Sequence, residues 1–266
     1  MTVRNQPRIS QKTIEIGRTL FPSWLHFLSM AALVLGVIWA SVVVVDLMRH
    51  PQKMAVMNVV WPVTALFGTV LTVWAYFAIG RASSQEAMKE AMHKANAGHG
   101  GMPSDTQPMA AFVGKGSLYC GAGCMIGDLI AEWLAFFFPV LAIWCGWQSI
   151  FDEKIFAIWV LDFLFAFVLG IVFQYFAIVP MRGLSPREGL LAALKADTLS
   201  LASWQVGMYG FMAIAQFYLL PHFFGRQAEV NSLEFWFTMQ LAMLCGFITA
   251  APVNWLLIRS RIKEKM

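Results

Sequence analysis

Residues able to do chemistry concentrate in one stretch, Tyr119-Cys-Gly-Ala-Gly-Cys-Met-Ile-Gly-Asp-Leu-Ile-Ala-Glu-Trp133. Within it Cys120, Cys124, Asp128 and Glu132 recur at every fourth position. On an α-helix such residues share a face, drifting about 40° per step. Two thiolates one turn apart can share a soft cation such as copper or zinc, with Met125 and Asp128 as further donors. The carboxylates can instead carry protons or compensating charge. A packing reading competes. Gly123-x-x-x-Gly127 is a small-residue motif, Gly121 adds another, and a buried cysteine behaves as a small hydrophobe. Packing accounts for the glycines and leaves Asp128 and Glu132 unexplained, because an ionised acid near mid-membrane costs about 2.5–3.5 kcal/mol.

That cost applies because the surrounding elements are built for lipid. Of the 266 residues 59% are hydrophobic and 13% charged, about half the charge content of a soluble domain. The charges fall in short stretches between long apolar runs, which predicts an all-α polytopic transmembrane helix bundle of about six spans. The runs are Trp24–Val45, Ala55–Ile79 with Pro62 inside, Tyr119–Trp147, Ile155–Val179, Leu190–Leu220 and Phe235–Ile258. The chain then divides into an N-terminal segment 1–23, two spans within 24–79, a connection 80–118, a four-helix core 119–258 and a basic tail 259–266. The first run is too long for a secretory leader and follows a polar segment, so it reads as an uncleaved anchor.

Lys and Arg set the orientation. Arg4, Arg8, Lys12 and Arg18 precede the first run, Arg81, Lys89, Lys94 and Lys115 sit in the second connection, and Arg259, Arg261, Lys263 and Lys265 close the chain. With six spans the positive-inside rule puts both termini in the cytoplasm. The connection 80–118 carries Met88, Met92, His93, His99, Met102 and Met109. It reads either as a soft-metal collecting loop or as a solvated linker whose methionines touch the bilayer.

Further acids lie within the spans. Asp197 falls near the depth of Asp128, and Asp162 near that of Glu132, with Lys195 available to neutralise Asp128 or Asp197. Gln205, Gln174, Gln240 and Asn254 add neutral polar groups. Together these make an ion or proton path through Asp128, Glu132, Asp162, Asp197, Lys195 and Gln205. No Walker A, H-E-x-x-H, G-x-S-x-G or dinucleotide fingerprint occurs, which excludes an ATP-driven pump on one chain and offers no catalytic residue. The pI of 8.9 comes from charges at helix ends, so no nucleic-acid partner is expected.

The Cys120-Gly-Ala-Gly-Cys124-x-x-Gly127-Asp128 segment resembles the hallmark of a bacterial membrane family called domain of unknown function 4396. Gln174 through Pro186, Lys195-Ala-Asp-Thr-Leu-Ser200, Gly207-Met-Tyr-Gly210 and Met239 through Asn254 are similar to it too. The resemblance implies a bacterial inner (cytoplasmic) membrane and brings no activity. From the side chains the leading expectation is a small permease, or a permease component, for a cation such as copper. The alternative is a scaffold or assembly factor for a respiratory or oxidase complex. The expected partners are the lipid bilayer, a metal ion, and a membrane-protein partner or second copy of the chain.

Overall fold

The structure is a computed structural model and describes residues 21–87, 89, 93 and 108–263. It is an all-α bundle. The long helices are α1 (Ser23–Arg49), α2 (Met57–Ala75), α3 (Met109–Phe137), α5 (Lys154–Arg182), α6 (Pro186–Ile214) and α8 (Leu233–Arg259). Short helices α4 (Val140–Trp144) and α7 (Leu220–Phe224) close two of the turns. A π-turn, Tyr76–Gly80, and a 3₁₀ turn, Arg81–Ser83, extend α2, and a second π-turn, Ala215–Leu219, joins α6 to α7. Five described helices are long and apolar enough to cross a membrane: α1, α2 with its extension, α3, α5 and α8. Many large apolar side chains point outward, among them Val37 and Ile38 on α1, Leu164 and Val168 on α5 and Ile248 on α8. Surfaces of this kind suit lipid and not water, and the chain is an integral membrane protein.

Length and apolarity mislead at α2. A straight helix from Met57 to Ser83 would separate its ends by about 39 Å. Instead the Lys53 amide donates to the Ser83 carbonyl at 3.2 Å, and the Gln85 amide donates to the Pro51 carbonyl at 2.9 Å. The reversal lies at Thr69, with φ 42° and ψ −120°, a region that a β-branched residue rarely enters. Beyond it the chain runs back beside itself. Trp61 meets Tyr76 edge-on with centroids 5.4 Å apart, and the Thr72 hydroxyl donates to the Thr64 carbonyl at 3.2 Å. The segment is a re-entrant hairpin. Irregular backbone at such depth is tolerated only where protein covers it. Here the side-chain amide of Gln240 on α8 donates to the Leu66 carbonyl at 2.6 Å, and Gly36 of α1 packs against that same carbonyl.

The hairpin changes the expected count and the expected sidedness. The start of α1 lies beside the start of α8, where His26 Nδ1 is 2.9 Å from Glu234 Oε1. The end of α1 lies beside the end of the hairpin: the Tyr76 hydroxyl donates to Asp46 at 2.7 Å, and Arg81 is 3.7 Å from the same carboxylate. Lys115, near the start of α3, reaches Ser83 at 3.4 Å, and Lys263, past the end of α8, reaches the Gly116 carbonyl at 3.0 Å. The face holding the start of α1 is termed the N face, and that holding the end of α8 the C face. The hairpin enters and leaves at the C face, so the described chain begins at one face and finishes at the other. Six spans would bring both ends to one side, whereas the described residues start and finish on opposite faces.

Helix α6 is more polar than the other long helices, yet it runs the full depth beside α8. Asp197 contacts Lys263 at the C face. In the middle, Ser203 and Thr249 exchange hydroxyl-to-carbonyl hydrogen bonds, both 2.8 Å. Gln216 then bonds both ways with the backbone of Ala228, just before α8 begins. The N-terminus of α6 is fixed by a capping box in which the Glu188 amide donates to the Ser185 hydroxyl and the Ser185 amide to the Glu188 carboxylate at 3.2 Å, and the Ser185 hydroxyl donates to that carboxylate as well at 2.7 Å. Those bonds hold the exposed Glu188 carboxyl below its ordinary range.

A re-entrant path predicts how single cysteines label. Lys53→Cys and Gln85→Cys should react with a membrane-impermeant maleimide from one side, and Glu229→Cys from the other. Reaction of positions 53 and 85 from opposite sides would mean that the hairpin is a through-span.

Candidate functional site

The site is set by how closely α3 approaches α5. A Cβ placed on Gly123 would lie 2.8 Å from the Gly170 backbone, and one on Gly127 would lie 2.5 Å from the Ala166 nitrogen. The Gly123-x-x-x-Gly127 pair of α3 thus faces the Ala166-x-x-x-Gly170 pair of α5, backbone against backbone. One turn beyond Ala166 comes Asp162, and beside Gly127 comes Asp128. Gly121 is occupied in the same sense, since a Cβ there would meet the Trp204 ring.

Every acid expected inside the bundle is there. Asp128, Asp162 and Asp197 are fully buried and Glu132 is 1% exposed. Asp162 lies within electrostatic reach of both Glu132 and Asp128. Among the described residues no protein donor hydrogen-bonds either oxygen of Asp128 or of Asp162. Tyr209 stands near this group, within electrostatic reach of Asp128, Asp162, Cys124 and Glu132, and its hydroxyl donates to the Trp159 carbonyl at 3.0 Å. Gln205, one turn before Tyr209 on α6, is buried too.

The line of acids continues toward both faces. On the N-face side Glu132 forms part of a cleft of about 340 Å³, shared with Glu153, Lys154, Gln216 and Glu229. On the C-face side Cys124 lies between Asp128 and Asp197, in electrostatic reach of both. Asp197 packs on α5 where a Cβ at Gly170 would lie 2.8 Å from its Oδ2. Its other oxygen is 3.4 Å from Lys263 Nζ.

Two expected members stand elsewhere. Lys195 is exposed, because two residues along a helix turn a side chain about 200° away from Asp197. The cation beside Asp197 is Lys263, in what reads from sequence as a headgroup-directed tail. Met125 lines a different cavity, with Leu129, Trp133, Trp236 and Met239, about 100° round the helix from Cys124. The cysteines themselves sit deeper than expected. Helix α3 begins at Met109, so Cys120 lies about 16 Å along it, fully buried with Cys124 beside it. Both are free thiols. Among the described residues no group of three or more His, Cys, Asp or Glu is arranged to hold a metal ion. Met88, Met92, His99 and Met102 of the suggested collecting loop lie outside the described residues.

A polytopic helical membrane protein with a buried acidic interior is the class that fold and site define. The chain belongs to the family described as Domain of unknown function (DUF4396), whose model matches residues 111–263. The match takes in α3 through Lys263 and so contains every buried acid of the line, while α1 and the hairpin lie outside it. No curated protein and no solved structure matches the chain.

The helix contact makes a sharp prediction. Gly127→Ala should destabilise the protein by about 1–3 kcal/mol through overpacking, read as a lower unfolding midpoint in detergent. Gly210→Ala, where a Cβ meets nothing within 4 Å, should leave the midpoint unchanged.

Proposed function

We propose that the chain is a small cation permease, or a component of one, whose interior acids carry protons or balance the charge of the moving cation. The observation behind this reading is the run of buried polar groups between the two faces. It passes from the cleft at Glu132 through Asp128 and Asp162 to Cys124, Asp197 and Lys263. Structural glue needs partners, since an unmatched buried polar group costs free energy. Asp128 and Asp162 have no protein hydrogen-bond donor among the described residues, which suits groups that exchange protons or meet a passing ion.

Protons and light cations fit this interior better than copper. Cys120 and Cys124 face the acids without a third ligand closing round them, and Met125 is turned elsewhere. We place the protein in the cytoplasmic membrane of a bacterium with the C face inward. Among the described residues Arg49, Lys53, Arg81, Arg182, Arg187, Arg259 and Arg261 gather at that face, against Lys154 and Arg226 at the other.

Reconstituted vesicles test the reading. The full chain should dissipate an imposed proton or monovalent-cation gradient, and Asp128→Asn should slow this by at least about tenfold, the mark of a group meeting the moving charge at mid-membrane. Lys195→Gln and the double variant Cys120→Ser, Cys124→Ser should keep the wild-type rate. Wild-type flux no greater than that of protein-free vesicles, or an Asp128→Asn rate equal to wild type, would overturn the proposal.

A further inference from the structure

The C-face end of the acid line is closed by the chain itself. After α8 ends at Arg259, Arg261 adopts φ 57°, and the amides of Ile262 and Lys263 turn back to the Leu257 carbonyl at 3.0 and 3.1 Å. This turn sends the Lys263 side chain inward, where it is fully buried. Its ammonium donates to three oxygens: the Asn254 side-chain carbonyl at 2.8 Å, the Gly116 backbone carbonyl at 3.0 Å and Asp197 Oδ1 at 3.4 Å. Asn254 is held in that pose because its amide donates to Ser200 Oγ at 2.7 Å and to the Ala250 carbonyl at 3.0 Å, leaving its oxygen free to accept.

The three oxygens come from α3, α6 and α8; the Gly116 carbonyl is held by its helix and the Asn254 oxygen by the bonds of its own amide, neither by the lysine. An ammonium has three donors, and this cage offers three acceptors, one of them anionic. Together they match a small monovalent cation of the ammonium type. The lysine that fills the cage is attached to a short turn outside the helices, whereas the cage is built from the helices themselves. Asp197 is also within electrostatic reach of Cys124, which is in reach of Asp128 in turn.

We infer that Gly116, Asn254 and Asp197 form a binding site for a small monovalent cation, ammonium-like in size and charge, which Lys263 occupies as a tethered plug. The inference deepens the permease reading by naming the cation class and the group that blocks its exit, and it rests on that reading for the path beyond Asp197. When the C-terminal turn swings out, a free cation takes the place of the lysine head. When the turn is in, the C-face end is shut.

Cavity rescue tests this without any flux measurement. Lys263→Ala leaves Asp197 unpaired and should lower the unfolding midpoint of the purified full chain. Ammonium or methylammonium chloride at tens of millimolar should raise it again by about 5 °C, while choline chloride at equal ionic strength should not. Adding Asp197→Asn to Lys263→Ala should abolish the ammonium response. Should Lys263→Ala be too unstable to exchange between salts, its yield after extraction in ammonium chloride should exceed that in choline chloride severalfold. Equal midpoints, or equal yields, in the two salts would overturn the cation site. Ammonium rescue in a protein that shows no vesicle flux would keep the site and remove the permease reading.

Discussion

The rest of the site depends on the approach of α3 to α5 with no side chains between their backbones at Gly123, Gly127, Ala166 and Gly170. In lipid there is little hydrophobic drive between helices, so close van der Waals contact must hold them together. That contact brings carboxyls on two helices into one interior, Asp128 and Glu132 from one side and Asp162 from the other. Larger residues at the two glycines would part the helices and open the acids to lipid. The glycines and the acids of this segment are thus parts of one arrangement, in which the close packing sets where the acids lie.

The interior is asymmetric along its length. Toward the N face the acids end in a cleft shared with Lys154 and two further glutamates. Toward the C face they end in a single ammonium held by three oxygens. In between, Asp128 and Asp162 have no donor of their own among the described residues. A buried charge is costly unless matched, and the matching groups are concentrated at the two ends.

The sequence made the acid line readable because helical spacing and the cost of charge in hydrocarbon are both strong rules. Cys120, Cys124, Asp128 and Glu132 share a face, and that face is buried. The role of Lys263 was hidden by its setting. A lysine in a tail of alternating basic residues looks solvated, and only the left-handed backbone at Arg261 turns it inward. Lys195 was the opposite case: near Asp197 in sequence, it projects from the far side of the same helix. The hairpin was hidden for another reason. Apolarity and length describe a segment without its direction, and Gly68-Thr69 carries neither proline nor asparagine to announce a reversal. The family match, confined to 111–263, separates this hairpin and α1 from the acidic core.

The first limb of the hairpin, from Met57 to Gly68, is about 18 Å long, well short of a hydrocarbon layer about 30 Å thick. Its bent peptide at Thr69 would be left to the acyl chains until Gln240 is there to accept the burden at Leu66. That glutamine belongs to α8, 174 residues further along the chain than Leu66. The tip of the hairpin therefore finds the donor for its open carbonyl only when a stretch of chain made much later has joined it.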